Sequence, residues 1–363
     1  MKKLIFFYGL MLFLPSITFA AQFQSLGFPP GGESYSKAQD ISADGQTIVG
    51  IAQGAYWIPA FIWTEANGMQ VFGDPIPGLP PPWDQYTLST AESISADGST
   101  VLGTNSFSFS QMNTPVIWSQ QSGYITLPLD HNSLRDISST GEFVAASHNT
   151  GVGTEAVRWS AAGGIELLGS LTQPGFSPKS HAEAISADGS VLVGYSQVDG
   201  SLDYAGFYWT GNGGMINIGR VPGEKDTRAT AVTANGTVVA GKSGSHLFRW
   251  TAANGIISLG ELDLGPNVPT WVHASDISND GATIVGSGHG FIGGGQVLRQ
   301  AIVWTEADEI RTLEDILVNE YGIDLQGWKL TDATGVSANG LVITGYGTNP
   351  SGQTESWRVV LDY

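Results

Sequence analysis

The chain has 363 residues, a formal net charge of −18 and no cysteine, which excludes a disulfide framework and a cysteine nucleophile. An acidic excess of this size repels phosphate backbones and anionic leaflets, so neither nucleic acid nor a membrane surface is expected as a partner. Charged residues are only 13% of the chain and glycines number 49, a balance that fits many short strands joined by tight turns.

Met1-Lys2-Lys3 is followed by an apolar run from Leu4 to about Leu14 and then by Thr18-Phe19-Ala20. Two positive charges, a short apolar run and a closing small residue predict a secretory signal peptide over residues 1–20. A membrane anchor would need about 20 apolar residues, and Pro15 and Ser16 cut this run short. No later stretch is apolar and long enough to span a bilayer. The expectation is an exported protein, periplasmic or extracellular.

Residues 21–363 are organised around Ile41-Ser42-Ala43-Asp44-Gly45-Gln46-Thr47-Ile48-Val49-Gly50, with relatives starting at Ile94, Ile137, Ile185, Val232, Ile277 and Val336. These anchors lie roughly 43–59 residues apart, the range of propeller blades. Each unit opens with a short strand ending at its anchor. An Asp-Gly or Asn-Gly turn follows, replaced in the third unit by Thr140-Gly141; these dipeptides tolerate the positive φ that tight hairpins require. A β-branched second strand comes next. The third strand is apolar and carries Trp63, Trp118, Trp159, Trp209, Trp250 or Trp304, while in the last unit Trp357 is shifted by two positions. A fourth strand, clearest in Ile256-Ile257-Ser258-Leu259-Gly260, completes the unit.

The last unit ends at Tyr363 without a fourth strand, and Phe23-Gln24-Ser25-Leu26-Gly27 near the start matches the missing piece. Splitting one repeat across the ends suits a closed ring, because pairing the two ends removes exposed sheet edges. The predicted fold is all-β: a single seven-bladed β-propeller over residues 21–363, its last blade closed by the N-terminal strand. The fixed place of the tryptophans argues for packing between blades over a role as sugar-stacking platforms.

In such a blade the first–second and third–fourth connections share one face, and here they are uniformly short. The other connections are long and unlike one another, and irregular loops on a regular scaffold are where binding residues usually sit. Those loops carry aromatics that the repeat does not require, among them Tyr56, Trp57, Trp83, Tyr86, Phe107, Phe109, Phe176 and Trp271. The first strands are expected to line the central channel. Four residues before the anchors, Lys37, His181, Arg228, His273 and Asp332 fall at the channel mouth, and Glu183 lies two before its anchor. The candidate ligand-binding set is therefore Lys37, Trp83, Tyr86, His181, Glu183, Arg228, Trp271, His273 and Asp332; a polar ring around a water-filled channel also needs no function. Leu313 to Tyr321, acidic early and apolar at spacings of three and four, predicts a short amphipathic helix over the ring, stopped by Gly322.

No motif supplies catalysis. There is no Gly-x-Ser-x-Gly elbow, His-Glu-x-x-His pair or phosphate loop, and the six histidines lack metal-ligand spacing. No catalytic residue, metal or cofactor is expected. Glu183 and Asp332 are placed to face each other across the channel, and carboxylate separation decides glycoside chemistry. The turn Ser42 to Thr47 faintly resembles the Asp-box of sialidase-like propellers, which implies a glycan substrate, but Gly45 directly follows Asp44 and Ile48 replaces an aromatic.

A broader resemblance covers nearly all of residues 21–363. The recurring Ile-Ser-Ala-Asp-Gly-x-x-Val-x-Gly, followed by an apolar x-Trp-Thr strand, resembles the HAF-repeat family of exported bacterial proteins, as does Gly322 to Gly340 at the end. The His-Ala-Phe of that family is degraded to Pro59-Ala60-Phe61 and His246-Leu247-Phe248. The resemblance implies export and repeat architecture and adds no catalytic residue. Two functions follow as expectations. The first is an exported binding or interaction module, expected as a monomer, recognising a glycan or cell-surface protein. The alternative is a polysaccharide hydrolase or lyase using acidic residues and histidines at the channel mouth.

Overall fold

The structure, a computed structural model, describes residues 21–361 except 33, 54–58, 73–88, 107–112, 131–132, 199–202, 266–267 and 295. It is a ring of seven four-stranded antiparallel sheets. The first strands are Ser36–Ile41, Thr90–Ile94, Leu134–Ile137, Ser180–Ile185, Thr227–Val232, Thr270–Ile277 and Lys329–Val336. Residues 1–20, where the signal peptide is expected, lie outside the described residues.

The repeated turn is built by its own side chains. Ser42 Oγ accepts from the Thr47 amide at 3.0 Å and donates to Asp44 Oδ1, which also accepts from the Gln46 amide at 2.9 Å. Gly45 sits at φ 70°, where an L side chain is strained. The alanine of the turn reaches the next blade: the amide of Ala43 donates to the carbonyl of Ala96, Ala187 to Ala234, and Ala338 to Ala43. This last bond carries the collar from the seventh blade back to the first.

Each first strand bulges two residues before its anchor. In the fourth blade Ala182 pairs Gly194 and Ala184 pairs Val193, leaving Glu183 without a cross-strand partner; such a bulge kinks the strand and re-aims side chains. It also explains the repeated glycine nine positions after the anchor. A Cβ on Gly194 would collide with the carbonyl of His181 and with the Phe207 ring. The same collision arises at Gly50 with Lys37, Gly241 with Arg228 and Gly286 with His273.

The hydrophobic cores lie between blades. Trp63 buries against Leu26 and Val342 across the seam of the seventh and first blades, and Trp209 joins Ala145, Ala156 and Leu168 of the third. Trp250 joins Val191, Val193 and Ile218 of the fourth. Every such tryptophan faces the preceding blade. That blade contributes the residue before its own third-strand core position as a lid: Arg158 lies 5.0 Å over Trp209, and Tyr208 lies 5.0 Å from Trp250. In the seventh blade Val359 takes the tryptophan place, opposite Ile343, while Trp357 pairs Gly345, the place held by Phe61 opposite Gly50. The shifted aromatic is thus a different core position, fully buried.

The N-terminal strand Gln22–Gly27 pairs antiparallel with Thr354–Val360 and completes the last sheet. Phe23 packs edge-on to Trp328 at 5.2 Å. Buried Glu355 accepts from Ser25 Oγ and from the Gly27 amide. The predicted helix is one α-turn, Leu313–Asp315, capped by Thr312, followed by a π-helical turn, Ile316–Glu320. Leu313, Ile316 and Leu317 are buried in the core between the last two blades, so its apolar face is used in packing.

Candidate functional site

The channel wall is laid down by the first strands. The residues two before the anchors, Gln39, Glu92, Arg135, Glu183, Thr230, Ser275 and Thr334, line it together, as the alternation of a strand predicts. The bulge adds a second set that alternation alone does not: Asp40, Asp136 and Asp276, one residue before their anchors, line the same space. Each accepts from its own anchor amide at 2.7 Å and from the anchor amide of the next blade: Asp40 from Ile94 at 2.9 Å, Asp136 from Ile185 at 2.9 Å, Asp276 from Val336 at 2.8 Å. Ser93 Oγ lies within hydrogen-bond distance of both Asp40 and Asp136. These carboxylates are staples between blades.

Each meets channel solvent along one edge but is enclosed by protein mass. Burial first, then the charge of Asp136, pushes Asp40 up to about 7. Burial likewise raises Asp136, and burial and then Asp40 raise Asp276 well above the usual carboxylate range. A carboxylate whose folded pKa is raised contributes stability that is fully present below its unfolded value and is lost as pH rises toward the folded one. Depressed histidines give the opposite slope, which cancels when two proteins differing only at Asp40 are compared. The melting temperature of Asp40→Asn minus that of the wild type is therefore expected to climb by a few degrees between about pH 4 and about pH 8. A difference that stays flat across that range, read by calorimetry, would rule out the strain.

At the long-loop mouth the residues four before the anchors pair with the residue just after the repeated glycine: His181 with Tyr195, Arg228 with Lys242, His273 with Ser287, Asp332 with Tyr346. Several of the predicted ring members are consumed in seams. Arg228 sits over the Tyr195 and Tyr204 rings at 4.6 and 5.1 Å and pairs with Asp226 at 3.2 Å. Lys37 sits 4.5 Å over Tyr346. His181 stacks on Tyr195 at 4.9 Å and borders a cavity of about 350 Å³ with Asp130, Arg135 and Ser147. Glu183 pairs with Arg135 at 3.3 Å; burial still raises its pKa. Glu183 and Asp332 line different cavities, so the structure does not bring the expected carboxylate pair into one pocket. Trp83 and Tyr86 lie outside the described residues, as do Tyr56, Trp57, Phe107 and Phe109.

Three predicted residues do meet. Trp271, His273 and Asp332 line a cavity of about 410 Å³ over the sixth and seventh blades, together with Lys242, His289, Arg299 and Tyr346. Trp271 is not a loop residue: the strands of this blade are extended, so it lies in Thr270–Ile277 opposite His289. Its indole stacks on His289 at 5.1 Å with an interplanar angle of 13°, and Phe291 flanks it at 5.1 Å. Asp332 is buried and ion-paired to Arg299, whose guanidinium lies 6.0 Å over Tyr346. The His273 ring touches cavity solvent. The wall around it first, then Lys242, His289 and Arg299, push its pKa down, against Asp332. The imidazole is therefore neutral at neutral pH. Burial and then Asp332 raise Tyr346.

The sequence reading missed Lys242, His289, Arg299 and Tyr346. The signal was present for two of them: Lys242 and Tyr346 directly follow the repeated glycines Gly241 and Gly345, at a position as irregular as the one four before the anchor.

Blades, collar and central channel define the chain as a seven-bladed β-propeller with an open cavity on its long-loop face. Its backbone is similar to the β-propeller domain of the Trilobed protease from Pyrococcus furiosus (TM-score 0.52, 11% identity, 90% of this chain and 95% of that one). That domain is described as having an open velcro topology, whereas here Gln22–Gly27 closes the last blade. It is also similar to a prolyl endopeptidase (TM-score 0.55, 12% identity, 91% and 50% covered) and to TolB from Acinetobacter baumannii (0.42, 16%, 62% and 52%). This chain spans about half the length of those last two proteins. At such identities the likeness is one of fold alone. No family model and no curated protein matches the chain. Among the described residues no helix is long and apolar enough to cross a membrane.

Proposed function

We propose that the chain is an exported binding module of the HAF-repeat kind that holds a glycan in the cavity beneath Trp271. The observation that carries this reading is a partly exposed indole, fixed by stacking on His289, in the wall of an open polar cavity. Ligand sites combine such an aromatic surface with a few placed polar groups. The blade seams hold the ring rigid, so the platform is preorganised. Export rests on the residues 1–20 pattern, and a protein surface remains the other class of ligand for this face.

Probing a glycan array with wild-type and Trp271→Ala protein tests the reading. Binding by the wild type is expected, weakened at least ~10-fold in the variant, as for a truncated aromatic anchor, with the folded circular-dichroism spectrum retained at the assay temperature. A blank array together with a blank pull-down from envelope material, using folded protein, would end it.

A second reading, a polysaccharide hydrolase or lyase, is favoured by His273, a neutral base opening on the same cavity. Reducing-end release from a polysaccharide panel, abolished in His273→Ala, would support it.

A further inference from the structure

From this site we infer that the ligand is an acidic sugar, its ring face on Trp271 and its carboxylate at Lys242. The inference rests on the binding reading above and adds the chemistry that selects the ligand.

The first ground is the sign of the charge inside the cavity. The whole chain is strongly acidic at −18, yet the wall presents Lys242 and Arg299 against a single carboxylate, Asp332. That carboxylate is already engaged by Arg299. Concave walls of one sign concentrate ligands of the opposite sign, so this patch selects against the field of the surrounding surface.

The second ground is Lys242 itself. It is half-buried and, among the described residues, no carboxylate lies within ion-pair distance of it. The acid that acts on it most, Asp226, is held by Arg228. Burial and then Arg228 push its pKa down, and an arriving carboxylate would reverse that by favouring the charged form. Arg299, by contrast, is committed to Asp332 and Tyr346, and Lys37 and Arg228 are committed to tyrosine rings. Lys242 is thus the cation in this wall with capacity to spare.

The third ground separates a sugar acid from a bare anion. The cation stands in one cavity with the Trp271 indole, and the remaining wall includes Gln39, Ser275, Ser287 and Thr334. Hydroxyl and amide groups match the hydroxyls of a sugar, and an aromatic face matches its apolar C–H face. A phosphate ion would leave the indole unused.

The test is titration calorimetry with a galacturonic acid trimer and the matched neutral galactose trimer. The acidic trimer is expected to bind at least ~10-fold tighter, the range of one charge-assisted hydrogen bond, and to weaken with added salt while the neutral trimer does not. Lys242→Met should erase that preference without changing the melting temperature, and Lys242→Arg should keep it. Equal binding of the two trimers, both dependent on Trp271, would overturn the acid selection and leave the binding reading standing. Failure of the acidic trimer to bind folded protein would overturn the inference, and so would AMP binding more tightly through the same two residues.

Discussion

A chain lacking Ala21 to Gly27 is expected to lose about 5 kcal/mol of stability or more, enough to unfold it or leave it aggregating. The deletion strips the backbone pairing from Thr354–Val360 and leaves that strand as an exposed edge, a template for association. Leu26, buried between the seventh and first blades, contributes about 1.5–3 kcal/mol by burial, and Phe23 adds its contact with Trp328. The buried carboxylate of Glu355 would lose Ser25 Oγ and the Gly27 amide, keeping Asn349 at 2.6 Å, which costs roughly 1–3 kcal/mol per orphaned group. Domains have only about 5–15 kcal/mol in total. Circular dichroism melting and size-exclusion chromatography of the truncated protein read the outcome. A melting temperature within a few degrees of wild type would refute closure by this strand.

The second large effect is expected from Trp209→Ala, at about 3–5 kcal/mol. The indole is 5% exposed, packed against Ala145, Ala156 and Leu168 of one blade and Ile185 and Leu192 of its own, with Arg158 stacked across it. Small neighbours cannot collapse far into the space it leaves. A buried tryptophan removes ~150–250 Å² from water. Because the residue is shared by two blades, the variant should loosen the seam of the third and fourth blades before other parts of the ring. Hydrogen exchange should show faster exchange there first. An unchanged melting temperature would contradict the packing role.

The architecture was legible in the sequence because its causes are local and recur. The Ser-x-Asp-Gly turn closes on its own side chains, and the strand that follows needs its glycine because a backbone carbonyl presses on it. The split repeat then forces a ring. The lumen aspartates were less legible. A strand that alternates strictly places Asp40, Asp136 and Asp276 away from the channel, and only the bulge, which no residue type announces, turns them in. The cavity was half legible for a similar reason. Trp271, His273 and Asp332 stand out on the first strand, but Lys242 and Arg299 reach the same space from a second strand of one blade and a third strand of another. Their meeting depends on how neighbouring blades are set against each other, which no single repeat encodes. Even the mouth ring divides: Arg228 and Lys37 look like free cations in the sequence and lie flat on tyrosines in the ring.

The register of the closing strand also settles how the ring can be held. Gln22 lies opposite Val360, at the end of the blade where the tight turns are, since the third strand of each blade runs toward that end. The Trp271 cavity opens at the other end. Gln22 and Val360 therefore both sit at the back of the disc. A tether, tag or fused domain at either position would hold the ring like a handle and keep the cavity turned outward, toward whatever drifts past.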